Sequence, residues 1–234
     1  MIKSMSLLLE SIKLIDGEFR NLFYHERRMN RSLKFLCGVE EHFYLEEFLK
    51  RLDLPRQGLF KCRIAYDDYS RDIEFIPYQY KTINSLRIVE HDRISYEFKY
   101  ADRKVLNRLF ELRKNCDDIL IVKRGLVTDS SFSNIVFKRG KHWYTPWSAL
   151  LKGTTRSYLL EREIIREEEI RIEDIKTFES FKLINAMLEF DGPEIGIANI
   201  IVYQHRRPAT LFSIVLACRR RRYSGFYTEL RPFT

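Results

Sequence analysis

Three features of the sequence, taken in chain order, can do chemistry together. Lys104 stands in KVLNRL, directly after KYADR. Twenty-five residues further on, VTDSSFSNIVF carries Asp129 behind a strand-like run, followed by an Asn that closes a tight turn. At 153–156, GTTR opens a helix whose first backbone N–H groups lack intrahelical partners and so form a cradle for a phosphate. An amine condenses with an aldehyde, a carboxylate keeps a pyridine nitrogen protonated, and free N–H donors hold a phosphate, which together are what pyridoxal 5'-phosphate (PLP) requires. Taken singly, each feature has an ordinary reading. A helix lysine is usually solvated, and an Asp in SSFSN-type surroundings commonly caps its own turn.

These residues need elements to position them. LLLESIKLI over 7–15, the Asp-Gly turn at 16–17 and FRNLF form a hairpin. From Tyr24, Met29, Leu33 and Leu36 recur at helical intervals up to Gly38, which suits a C-cap, and a second helix runs over 40–52 before Pro55. Strand-like runs at 60–66, 72–80 and 85–91 predict an antiparallel β region under that helical layer. The period turns helical again with Val105, Leu106, Leu109 and Leu112. A buried strand DILIVKR, a hairpin series over 126–146, a helix over 153–165, a helical stretch near 174–180 and the apolar strand FKLINAMLEF complete the pattern. The chain divides into two α/β halves, 1–95 and 96–203.

In five segments, taken in order, the sequence resembles the fold-type IV PLP enzymes, the class IV aminotransferases and aminodeoxychorismate lyases. ESIKLIDGEFRNLFYHERRMNRS resembles the family's opening strand, turn and H-x-x-R helix; KVLNRL resembles its lysine motif. VTDSSFSNIVF is similar to its T-E-x-x-x-x-N segment, GTTR to its G-[IT]-[TM]-R helix start, and LINAML to the strand that completes the phosphate site. The resemblance implies an α+β fold of the D-amino acid aminotransferase type. A small N-terminal α/β subdomain (1–95) precedes a larger C-terminal PLP-binding subdomain (96–203). It makes Lys104 the catalytic Schiff-base lysine and Arg28 the guanidinium on the phosphate, whose fork matches two phosphate oxygens. Asp129 takes the place of the glutamate facing the ring nitrogen. Thr154 and Thr155 become phosphate donors, and Asn185 and Ala186 close the site.

Two departures from the family stand out. Asp for Glu shortens the arm by roughly 1.5 Å, and the interval from Lys104 to Asp129 is short for the family, implying a trimmed helix and hairpin. His25 reads as a residue orienting its helix start, and Trp143 and Trp147 as packing groups. Arg63, Arg71, Tyr78 and Tyr80 are unranked candidates for a substrate carboxylate. KVLNRL and LINAML resemble the strings of the family's lyases, and that resemblance favours a lyase that forms 4-aminobenzoate and pyruvate for folate synthesis. A branched-chain or D-amino acid type aminotransferase is the alternative, and a non-catalytic or nucleic-acid-binding protein on the same scaffold the second. A small amino substrate and a homodimer follow from the resemblance.

Composition narrows the field. The chain of 234 residues is 45% hydrophobic and 32% charged, a folded profile, and no two of its 4 cysteines have the C-x-x-C spacing of metal or redox sites. No run approaches the ~20 apolar residues of a membrane span, so a cytoplasmic protein without membrane or metal is expected. The net charge of +8 lies mainly in residues 204–234, where seven arginines face one glutamate, leaving +2 for the rest. That atypical basic tail has no groove-reading pattern, so nucleic acid is not the expected partner. Its abrupt change of composition reads as sequence foreign to the preceding fold.

Overall fold

In the computed structural model, the described residues are 7–201, and they form one compact unit. The basic tail lies outside the described residues. The first sheet has the order β2 (Glu18–Phe19), β1 (Leu8–Ile15), β3 (Leu59–Tyr66), β4 (Arg71–Pro77), all antiparallel. Period-two alternation sorts its side chains. Leu8, Ile12, Cys62 and Ile64 face helices α1 (Leu22–Cys37) and α2 (Leu45–Leu49), packing on Met29, Leu33, Leu45 and Leu49. Leu9, Ser11, Lys61 and Arg63 alternate with them and line a cavity on the other face.

α1 ends where the sequence predicts, with Gly38 left-handed at φ 71° and its N–H bonded to the carbonyls of Leu33 and Lys34. α2 is shorter than the expected 40–52. The Asn30 side chain bonds both the N–H and the carbonyl of Phe43, and Glu26 accepts from the Leu45 N–H, so 40–44 stays irregular.

The second sheet begins with β5 (Leu86–Glu90), which pairs in parallel with β6 (Asp118–Lys123) and β13 (Ile200–Ile201). The antiparallel expectation for 85–91 fails because the connection between β5 and β6 is a crossover containing α3 (Lys104–Phe110), which a parallel pair requires. β6 is buried on both faces: Ile119 and Ile121 pack under Leu106 and Leu109 of α3, while Leu120 and Val122 join Val127, Ile135 and Phe137 in the main core. The sheet continues through β7 (Leu126–Ser130), β8 (Asn134–Arg139), β9 (His142–Pro146) and β10 (Ile165–Glu168), with β11 (Ser180–Ile184) along β8 and β12 (Ile195–Gly196) beside β11.

Helix α4 (Thr154–Glu161) stops four residues before the predicted end, and Glu163 turns left-handed at φ 56°. That turn sends 165–168 into a parallel pairing with β9 and buries Ile165. The helical stretch expected near 174–180 is a short 3-10 turn, Ile172–Thr177. The fold is α+β, as expected.

Candidate active site

A cavity of about 420 Å³ is bounded by the basic face of the first sheet, α1, the start of α4 and the ends of β7, β8 and β11. Its walls include Arg28, Lys99, Asp129, Thr154, Asn185 and Ala186.

Arg28 projects from α1 and is held by Glu10 of β1, with Nε 2.8 Å from Oε1 and Nη2 2.5 Å from Oε2. That leaves Nη1 as the remaining donor group of the fork. Burial alone would push Glu10 up; the Arg28 guanidinium, and after it His25, outweigh burial and hold the carboxyl at about 2. His25 sits fully buried with Nδ1 2.7 Å from Glu10, and burial lowers its own pKa, so the ring is neutral near pH 7. Its Nε2 lies 3.4 Å from the Thr154 hydroxyl. His25 therefore links α1 to the start of α4, consistent with an orienting role.

Asp129 and Asn134 are register partners across the turn between β7 and β8. The turn closes by the Ser130 N–H donating to the Ser133 carbonyl at 2.8 Å. The Asp129 carboxylate accepts from Asn134 Nδ2 at 2.8 Å and from the Leu151 N–H at 3.0 Å. It is 6% exposed, and burial pushes it up to about 6 against those two donors. Strand register thus places Asp129 in the cavity wall.

Gly153 begins α4 with extended φ and ψ, and a Cβ there would overlap the Asn134 amide oxygen. Thr154 lines the cavity. Thr155 does not: its hydroxyl lies behind the wall, donating to the Asn185 carbonyl at 3.0 Å. Asn185 ends β11 because its side chain accepts from the Met187 and Leu188 N–H groups, folding 185–188 into a turn, and its Nδ2 donates to Ser133. The Arg of GTTR, Arg156, is a buried strut to Glu167 and the Pro146 carbonyl. Of the four carboxylate candidates, Arg63 and Tyr78 line the cavity, while Arg71 lies over the Phe43 ring and Tyr80 stands against Tyr78 outside the lining.

Lys104 is not brought to the cavity. It is the first residue of α3, its side chain is 79% exposed, and its Nζ meets Asp102 at 3.4 Å. Helical geometry is the reason: at about 100° per residue it points roughly 200° away from Leu106, which packs inward. Of the two lysines in KYADRK, the one that lines the cavity is Lys99. Its carbonyl accepts from the Leu9 N–H at 2.8 Å, which fastens the segment to β1. Burial first, then the neighbouring Arg28 cation, lowers its amine to about 8, and among the described residues it has no hydrogen-bond or ion-pair partner. A signal for it existed in the sequence. The interval from Lys99 to Asp129 is 30 residues, five longer than that from Lys104.

One wall thus presents an unpaired amine of lowered pKa, a second a buried carboxylate, and a third a guanidinium beside a helix start. Among the described residues no cluster of His, Cys, Asp or Glu could hold a metal ion, and no helix is long and apolar enough to cross a membrane.

The model of a family described as amino-transferase class IV matches residues 7–190. Over 182 residues the chain is 40% identical to an uncharacterised protein of Haemophilus influenzae, covering 77% of this chain and 97% of that one. A crystal structure from Haemophilus somnus, provisionally described as a 4-amino-4-deoxychorismate lyase, matches with 35% identity and a TM-score of 0.73, over 80% of this chain and 98% of that one. A hypothetical aminotransferase from Mycobacterium tuberculosis in its PLP-bound form shares the fold at 15% identity and a TM-score of 0.67, over 93% of this chain and 90% of that one.

Proposed function

Since the chain belongs to the class IV aminotransferases, we propose that Lys99 is the lysine that joins its cofactor and that the reaction is that of a lyase acting on 4-amino-4-deoxychorismate. The family makes the protein a PLP-dependent enzyme acting on a small amino substrate. When bound, PLP supplies an electron sink for charge developing beside the substrate nitrogen. The cavity fits it, because the donor set includes an amine, a carboxylate and a cationic anion-binding wall without metal-ligand chemistry.

The observation that carries the reading is the state of Lys99. With a pKa of about 8, roughly one amine in four is neutral at pH 7.5, against about one in a thousand for an unshifted lysine at 10.5. A neutral, unpaired amine is a nucleophile, and the same nitrogen can take and return a proton at the substrate's α-carbon. Asp129 is the residue facing the ring nitrogen in this reading, held in place by Asn134 and the Leu151 N–H. Arg28, the start of α4 and the 185–186 turn hold the phosphate, with Thr155 supporting that turn from behind. The lyase assignment is supported by the similarity to the Haemophilus somnus protein. The products are 4-aminobenzoate and pyruvate, as in folate synthesis, and the homodimer is part of the same proposal.

Borohydride reduction of the yellow protein, followed by peptide mass analysis, tests the lysine directly. The cofactor is expected on Lys99. Lys99→Ala loses the visible band and activity by at least about a thousandfold, while Lys104→Ala keeps both; the reverse pattern would return the role to Lys104. Pyruvate and 4-aminobenzoate formed without added keto acid support the lyase. Turnover only with a keto acid makes the enzyme an aminotransferase.

A further inference from the structure

We propose that the basic face of the first sheet, Lys61 on β3 together with Lys81 beyond β4, is a carboxylate subsite that selects amino substrates carrying a second carboxylate. The inference rests on the reading that PLP occupies the cavity, and concerns the wall that reading leaves unassigned.

Six cations line the cavity, namely Arg28, Lys61, Arg63, Lys81, Lys99 and Arg103, against two acids, Asp118 and Asp129. Their partners differ. Arg28 is matched by Glu10 and Arg63 by Glu74 at 3.1 Å. Arg103 donates to the Ser131 carbonyl at 2.6 Å and lies over the Phe132 ring, which fixes it in the wall. Lys61 and Lys81 have no acidic partner among the described residues, although both line the cavity.

Register makes the surplus deliberate in a physical sense. On the cavity face of the sheet Lys61 stands directly opposite Lys13, a like-charge pair that costs stability in an antiparallel ladder. Lys13 is neutralised by Glu189 at 2.5 Å, whereas Lys61 is not. Its other neighbour across the ladder is Ile76. Both acids of the lining belong to the second sheet, Asp129 on β7 and Asp118 on β6, whereas Lys61 belongs to the first. The phosphate of the cofactor is assigned to Arg28 and the start of α4, so it does not account for Lys61 and Lys81. An anionic group on the substrate does. A substrate carboxylate held away from the reacting, amino-bearing carbon would face this wall. An apolar side chain, as in a branched-chain amino acid, would leave the partly buried Lys61 ammonium facing hydrocarbon, with the exposed Lys81 at the rim of the same wall.

Calorimetric titration with glutarate and with valerate, two acids of equal chain length, tests this on the purified holoenzyme. Glutarate is expected to bind at least about tenfold tighter than valerate. In the double variant K61M/K81M that preference disappears while valerate affinity stays within about twofold, which also reports that the cavity is intact. Equal affinity for the two acids in the unaltered protein would overturn the proposal, as would a preference that survives in the double variant. Calorimetry reads the preference whether or not cofactor is bound, while colour reads the cofactor itself. A colourless protein that still prefers glutarate through Lys61 and Lys81 therefore retires the PLP reading and leaves the subsite standing.

Discussion

Arg28 and Lys99 are cations in one cavity, and their different partners give them different chemistry. Arg28 has a buried carboxylate matched to two of its nitrogens, so it stays charged at any working pH. Lys99 has none, so burial and the Arg28 charge act on it unopposed by any bonded partner. Removing the Glu10 charge by Glu10→Gln leaves Arg28 buried without a counter-charge, and a loss of about 3–5 kcal/mol is expected from urea unfolding. The pH dependence has a definite sign. Glu10 is lowered from 4.5 to about 2, so its contribution, about 3 kcal/mol by linkage, is present above pH 4.5 and lost as pH falls toward 2. Asp129 runs the other way, raised from 3.8 to about 6. Its burial favours folding below pH 3.8, and about 3 kcal/mol is lost as pH rises through 6. In cofactor-free protein the Asp129 contribution should therefore be lost between pH 3.8 and about 6, and Asp129→Asn should remove that component of the pH dependence; an unchanged slope in the variant would refute the assignment.

At the scale of elements, the start of α4 and the β7–β8 turn form one unit. Asn134 bonds Asp129 with its side-chain nitrogen and the Leu151 carbonyl with the same group, while its oxygen lies against Gly153. Gly153→Ala must displace Asn134, so a loss of about 1–3 kcal/mol is expected from overpacking, together with weaker retention of cofactor on dialysis. A variant as stable as the parent would show that the contact is slack. The end of α1 at Gly38 and the start of α4 after Gly153 are legible in the sequence because caps and spacing are local. The ends of α2 and α4 are not, since Asn30 and Glu26 hold 43–45 from a neighbouring helix and β10 is drawn into the sheet by β9.

Across the whole unit, besides the α1–α4 bonds, two seams fasten strand β1 to later parts of the chain. Residues 99–101 pair with β1 through Leu9 N–H to Lys99 and Ala101 N–H to Leu7. The second seam is Lys13 to Glu189, with Lys13 8% exposed and its pKa raised by Glu189 against the cost of burial. Lys13→Met breaks the second seam and leaves Glu189 without its counter-charge. The 185–190 turn should loosen, with amide exchange at Met187 and Leu188 at least about fivefold faster, as expected of a segment held by few contacts. Unchanged exchange would mean that Asn185 alone holds the turn.

What the sequence by itself determined is the family, the cofactor class, and the order in which Arg28, Asp129, Thr154 and Asn185 arrive, because motifs are statements about local order. Which lysine meets them was not among these. KYADRKVLNRL offers two within six residues, and local pattern favours the one at the helix start. The tertiary structure separates them by pairing Tyr100 with Leu8, which fastens the segment to β1 and puts Lys99 in the cavity. The inward packing of Leu106 and Leu109 then turns Lys104 toward water. A side chain's direction is set by what its neighbours bury, and for these two lysines those neighbours are about ninety residues away on β1 and on the far side of a crossover helix.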